Sequence, residues 1–166
     1  FKPDDIDIKN WEIVSGRWIK DRTGLRQTDI LAKRAIIIYK GKKYRNFYFQ
    51  VKVKPMSLGR TPLFGIVFRY VDKRNYYRYW ISDTKVAFQR VKEGRVLTIC
   101  KIDREKLKTG TEYVMGVRAR KSRFSIMFND RIIIEKKDYS FKRGYVGVLA
   151  RESVVDFYQL SLTSSK

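Results

Sequence analysis

Phe47-Tyr48-Phe49-Gln50-Val51-Lys52-Val53-Lys54 alternates apolar or aromatic side chains with wetter ones at every step. Successive side chains of an extended strand leave on opposite faces. Phe47, Phe49, Val51 and Val53 therefore share one apolar face, and Tyr48, Gln50, Lys52 and Lys54 share a wet one. The same period recurs on either side of this stretch. Val117 and Ala119, then Phe124, Ile126 and Phe128, flank Arg120-Lys121-Ser122, which predicts a hairpin. Asn129-Asp130 marks a second tight turn before Ile132-Ile133-Ile134, because both residues tolerate left-handed backbone. Further strands are predicted over 11–19, 35–40, 63–70, 76–82, 85–91, 95–102, 144–150 and 154–163. Turn signals fall between them at Gly41, Pro55 to Pro62, Asp72 to Asn75, Asp83-Thr84, Glu93-Gly94, Gly110 and Arg143-Gly144. Only Asp103 to Lys108 reads as a helical turn, with Asp103 as its N-cap. About a dozen short strands in this length predict an all-β sandwich of two antiparallel sheets. The simplest division is one domain over residues 1–166, either a mature product or a piece of a longer chain.

The 166 residues hold 38 Lys+Arg, 17 Asp+Glu and no His, a net charge of +21. With 43% hydrophobic residues, 11 Tyr, 10 Phe and 3 Trp, the chain is no disordered basic tail. The missing His removes the usual general base, the commonest metal ligand and every Ser-His or Cys-His nucleophile pair. Cys100 stands alone, so it makes neither an internal disulfide nor a zinc cluster, and it reads as a small buried hydrophobe. No apolar run reaches the length of a membrane-spanning helix, and no signal peptide is visible. The compartment stays open. Few Asn, Gln and Cys beside many Lys, Arg and Ile match the composition of thermophile proteins.

The order of motifs resembles the concanavalin A-like, laminin-G-like jelly rolls. Trp11-Glu-Ile-Val-Ser-Gly-Arg-Trp18 is similar to an opening strand of that family. Gly65-Ile-Val-Phe-Arg-Tyr-Val-Asp72 with Asn75-Tyr-Tyr-Arg-Tyr79 is similar to its central segment. Tyr113-Val-Met-Gly-Val117 and Phe124-Ser-Ile-Met-Phe-Asn129 resemble the hairpin that follows, and Gly144-Tyr-Val-Gly-Val148 with Val155-Asp-Phe-Tyr-Gln-Leu160 the closing strands. By pattern, the 3-keto-disaccharide hydrolase-type domains and related carbohydrate-binding modules are the nearest kin. The resemblance implies a concanavalin A-like jelly-roll sandwich, whose concave face binds glycans in many members.

Sugar recognition needs flat aromatic faces and planar polar groups. The expected glycan site is Arg69, Tyr77, Tyr79 and Trp80, with Asp72 and Asn75 at the rim. Alternation puts Tyr77, Tyr79 and Ile81 on one face and Tyr76, Arg78 and Trp80 on the other. Which face enters the core stays open, and so does the reading in which Tyr77 and Tyr79 only pack the sandwich. The same resemblance raises a calcium site at the closing strand. The family has Phe followed by Asp or Asn there, whereas Phe157 is followed by Tyr158, with Asp156 one place earlier. No metal or other cofactor is therefore assigned. Asp156 is the remaining metal candidate, and Asp4, Asp5 and Asp7 a second source of oxygen ligands.

The chain also lacks the Glu-x-Asp string of retaining glucanases. Neither Asp103 with Glu105 nor Glu135 with Asp138 makes a convincing carboxylate pair. The reading is a non-catalytic binding module with a glycan or another polyanion as its partner. Two alternatives stand beside it. One is a basic nucleic-acid-binding or scaffold domain among other domains of a larger assembly, suggested by basic runs along the whole chain. The other is a divergent glycoside-processing enzyme.

Overall fold

The computed structural model describes residues 2–165. Its elements are β1 (Lys2–Asp4), a 3-10 turn (Ile8–Asn10), β2 (Trp11–Ser15), β3 (Trp18–Asp21), β4 (Gly24–Gln27), β5 (Ala35–Tyr44), β6 (Asn46–Asp72) and β7 (Asn75–Ser82). They continue with β8 (Lys85–Lys92), β9 (Arg95–Asp103), β10 (Tyr113–Arg120), β11 (Arg123–Phe128), β12 (Arg131–Lys137) and β13 (Gly144–Ser165). Each strand pairing is antiparallel.

Two long strands organise the molecule. β6 has 27 residues and β13 has 22, and they pair with each other from Tyr70–Tyr145 to Asn46–Ser165. Each serves both layers of the sandwich. The second half of β6 and the first half of β13 lie at the centre of a sheet ordered β9-β8-β7-β6-β13-β5-β2. Their other halves lie at the centre of a sheet ordered β12-β11-β10-β6-β13-β4-β3. We call these the first and second sheets. The strands cross between layers where the β6–β13 register shifts, around Arg151, Ser153 and Val155. A bulge bends a strand and sharpens its twist, which is how one strand turns a corner between two sheets. Glu152 marks that corner with a φ of 46°.

The core lies between the sheets. Phe124 of β11 meets Tyr77 of β7 at 4.8 Å and Phe88 of β8 at 5.6 Å between ring centroids, and Phe68 meets Phe47 at 6.3 Å. Phe47, Phe49, Val51 and Val53 all point inward and are fully buried, as their alternation predicts. Trp11 and Trp18 reach the same core from different strands, because Gly16 turns the chain at a φ of +89°.

Several expectations are corrected. Residues 11–19 form two strands, one in each sheet. Pro55 to Pro62 is no loop but the bent middle of β6. Pro55 pairs with Val155 beside a register shift, where a missing N–H leaves the ladder least disturbed. Residues 144–150 and 154–163 are one strand. Asp103 to Lys108 is not helical: Asp103 ends β9, and Leu107 is buried, with its N–H held by the Asp83 carboxylate at 3.1 Å. Cys100 is half-buried against the core. The turns at Glu93-Gly94 and Asn129-Asp130 have left-handed backbone at both residues, the geometry that suits two-residue hairpins.

Candidate functional site

The two sheets differ on their outward faces. In the first half of β6, buried and half-buried residues alternate, so the second sheet has an ordinary solvated back. In the second half, Leu63 to Tyr70 are buried on both faces. The outward residues Ile36, Ile38, Leu63, Val67, Tyr76 and Leu149 form an apolar cluster of their own. The first sheet therefore presents an apolar floor on its outward side, interrupted by a few polar groups.

β7 crosses the middle of that floor, and its outward residues are Tyr76, Arg78 and Trp80. Trp80 pairs with Gly65 on one side and Ala87 on the other. Its small neighbours keep part of the ring accessible, and Trp80 is half-buried, packed at its base against the apolar cluster. Gln89 holds it in place. The Trp80 Nε1–H and the Arg78 Nε–H both donate to Gln89 Oε1, at 2.8 and 2.7 Å. Gln89 Nε2 in turn donates to Thr98 Oγ1 at 3.1 Å. A flat ring and a guanidinium fork are thus fixed side by side by one amide. Tyr76 lies under Arg34, which donates to its hydroxyl at 2.8 Å. A shallow hollow of about 80 Å³ opens among Arg34, Tyr76, Arg78, Leu149 and Arg151.

The residues expected from the sequence separate. Only Trp80 reaches this face. Tyr77 and Tyr79 point between the sheets and have no exposed surface, so a ligand on the surface does not touch them. The Tyr79 hydroxyl donates to the Met127 carbonyl at 2.9 Å. The Tyr77 hydroxyl donates to Asp138 and accepts from the Ser140 N–H at 3.2 Å. Burial pushes both phenols far above their ordinary range. Arg69 is also inside. The register shift after Phe68 and a φ of 45° turn its side chain into the core. It donates to the carbonyls of Phe141 at 2.8 Å, Arg45 at 2.7 Å and Lys121, and it lies 4.7 Å over the Phe124 ring. It clamps three turns rather than a ligand. Asp72 accepts from the Arg74 N–H and the Asn75 side chain, and Asn75 accepts from the Glu93 N–H. Both build the turns at one end of β7.

The alternation of Tyr76, Arg78 and Trp80 signalled a second face without saying which of the two looks outward. Arg34, Gln89 and Arg151 carried no such local signal. Asp156 is engaged by Arg26 through both carboxylate oxygens. Asp4 accepts from the Ser164 hydroxyl, and Asp7 caps the 3-10 turn. No three acidic, Cys or His side chains among the described residues form a metal-sized cluster.

No family model matches the chain, and no curated protein does. Solved structures do match. The carbohydrate-binding module CBM66 from Bacillus subtilis superposes with a TM-score of 0.83 at 19% identity, over 93% of this chain and 96% of that one. The fold is a concanavalin A-like jelly roll. A putative glycosyl hydrolase from Parabacteroides distasonis is similar at a TM-score of 0.70 and 12% identity, over 96% of this chain and 90% of that one. The Ca²⁺-bound exoplasmic/lumenal domain of VIP36 is similar at 0.70 and 11%, over 95% and 84%. In this chain the second half of β6 and the first half of β13 lie at the centre of one broad sheet, with β7 beside them. Trp80 and Arg78 therefore lie near the middle of that sheet rather than at a ragged edge.

Proposed function

We propose that this chain is a non-catalytic glycan-binding module whose ligand lies on the outward face of β7. The observation that carries the reading is Trp80, half-buried on the outward face between Gly65 and Ala87 and held by Gln89. A sugar ring stacks its C–H face on such an indole, and Arg78 supplies donors to its hydroxyls. The likeness to a structure named as a carbohydrate-binding module supports the same reading. The outward residues of β7 include no carboxylate, and acid–base cleavage of a glycoside needs two. Asp72 and Asn75 act by shaping the turn at the end of the face, and Arg69, Tyr77 and Tyr79 act from beneath by holding the core that supports it. The reading assigns no metal, so chelation with EDTA leaves binding unchanged. Binding is measured by titration calorimetry against a panel of neutral and acidic polysaccharides. Trp80→Ala is expected to weaken a bound glycan about tenfold or more, with thermal unfolding showing that the variant folds. Unchanged binding in Trp80→Ala would remove the site.

A second reading has one specific observation behind it. Arg118, Arg120, Arg123, Lys136 and Lys137 surround a hollow of about 440 Å³ on the back of the second sheet, with Glu135 the acid among them. A nucleic acid or other polyanion held there would bind with steep salt dependence and without Trp80.

A further inference from the structure

Arg34, Arg78 and Arg151 line one hollow of the outward face. Among the described residues, none of the three forms an ion pair with a carboxylate. Glu152, next in sequence to Arg151 and within reach of its field, is held by Lys33 at 3.2 Å and by the Thr61 hydroxyl. With 38 Lys+Arg against 17 Asp+Glu, an unpaired cation is common in this chain; what distinguishes the hollow is that three guanidiniums converge on it. This hollow thus gathers three guanidiniums with no carboxylate bridging them among the described residues.

The three groups are also held in position. Arg34 donates to the Lys73 carbonyl and to the Tyr76 hydroxyl. The Arg78 Nε is tied to Gln89. The Arg151 Nε donates to the Thr61 carbonyl at 2.9 Å, and its terminal nitrogens have no protein acceptor among the described residues. Burial holds the Arg78 guanidinium below the usual arginine range, and the fields of Arg34 and Arg151 add to that fall against the opposing pull of Tyr76. An anion entering the hollow would relieve this repulsion. A neutral sugar needs one or two planar donors, not three like charges. Fixed guanidinium forks suit two-point recognition of an oxyanion.

We propose that the face selects an acidic glycan, with Arg34, Arg78 and Arg151 holding a carboxylate or sulfate carried by the sugar while the ring rests on Trp80. The proposal rests on the glycan-binding reading above and adds the class of glycan. Its chemistry is shared by a uronic acid and a sulfate ester. The test titrates the full chain with oligogalacturonate and its methyl ester, and with sulfated dextran and plain dextran, across a salt series.

The acidic form of at least one pair is expected to bind about tenfold or more tightly than its neutral form. A carboxylate preference identifies a uronate, and a sulfate preference identifies a sulfate ester. Arg151→Gln abolishes the preference, while Arg123→Gln, on the other sheet, keeps it. Arg34→Gln, an exposed side chain, gives the same result should Arg151→Gln fail to fold. Equal binding of acidic and neutral forms overturns the proposal and leaves the glycan reading standing. A preference that survives Arg151→Gln and Arg34→Gln but falls in Arg123→Gln overturns it as well. Single-stranded nucleic acid that displaces the acidic sugar from this hollow with higher affinity also overturns it. Binding to no glycan, charged or neutral, removes both the proposal and the reading beneath it.

Discussion

Arg69 carries a guanidinium into the core, and no carboxylate among the described residues pairs with it. Three backbone carbonyls take that place, from the β5–β6, β10–β11 and β12–β13 connections. Burial lowers its pKa to about 10, so it remains charged at neutral pH. Arg69→Met leaves those carbonyls without donors and is expected to cost about 3 kcal/mol in a chemical-denaturation titration. Arg69→Lys recovers only part, because one ammonium on a flexible stem does not reproduce a planar fork. Asp138 makes a second buried node with Tyr77, Arg90 and Ser140. Burial alone would raise its carboxyl, but the bonds from Tyr77 and Ser140 and the charge of Arg90 hold it below the ordinary 3.8. A carboxyl whose folded pKa is depressed stabilises the fold fully above its unfolded value and loses that contribution as pH falls through the folded one. The stability gap between the wild type and Asp138→Asn, about 1–2 kcal/mol near neutrality, should therefore close as the denaturation is repeated at pH values well below 3.8. A gap that stays constant with pH would show that the carboxylate charge contributes nothing.

At the scale of elements, β6 explains how the site forms. Its second half brings Gly65 against β7 so closely that an added Cβ would stand 1.9 Å from the Tyr79 carbonyl oxygen and 2.7 Å from the Trp80 Cα. Gly65→Ala must push β7 away, at a cost of about 3 kcal/mol by overpacking, and it displaces Trp80 as it does so. Gly110 is the contrasting case. It has a φ of +76° and open space where a Cβ would go, so Gly110→Ala should cost only about 1 kcal/mol through backbone strain. Thermal unfolding of the two variants checks the order, and tryptophan fluorescence reports the shift at Trp80 in the first alone. The strands and hairpins were legible because period two and the Glu-Gly and Asn-Asp turns are local signals. The long bend of β6 was not. Pro55, Gly59 and Pro62 look like a loop in isolation, and only pairing with β13 makes that stretch a strand.

Across the whole molecule, the net charge of +21 guarantees attraction to polyanions, which salt screens over a Debye length of about 8–10 Å. The salt series therefore separates two behaviours. Binding at the arginine-rich back of the second sheet should fall steeply with salt and ignore Trp80→Ala. Stacking of a neutral glycan on Trp80 should change little with salt and be lost in that variant. A steep salt loss for every ligand, with Trp80→Ala silent, would favour the polyanion reading over the glycan one.

The sequence alone determined the all-β class, most of the strand positions though not their bounds, the alternating face of Phe47 to Val53, and the exclusion of histidine chemistry. All of these follow from composition and from side chains one or two residues apart. Tertiary structure decided which face of β7 is the inside. A period of two divides Tyr77 and Tyr79 from Tyr76, Arg78 and Trp80 but is symmetric between the two sets until another sheet stacks on one of them. It also assembled Arg34, Arg78 and Arg151. They meet only because β13 pairs with β5 and β6 in one register, and that contact depends on strands far apart along the chain.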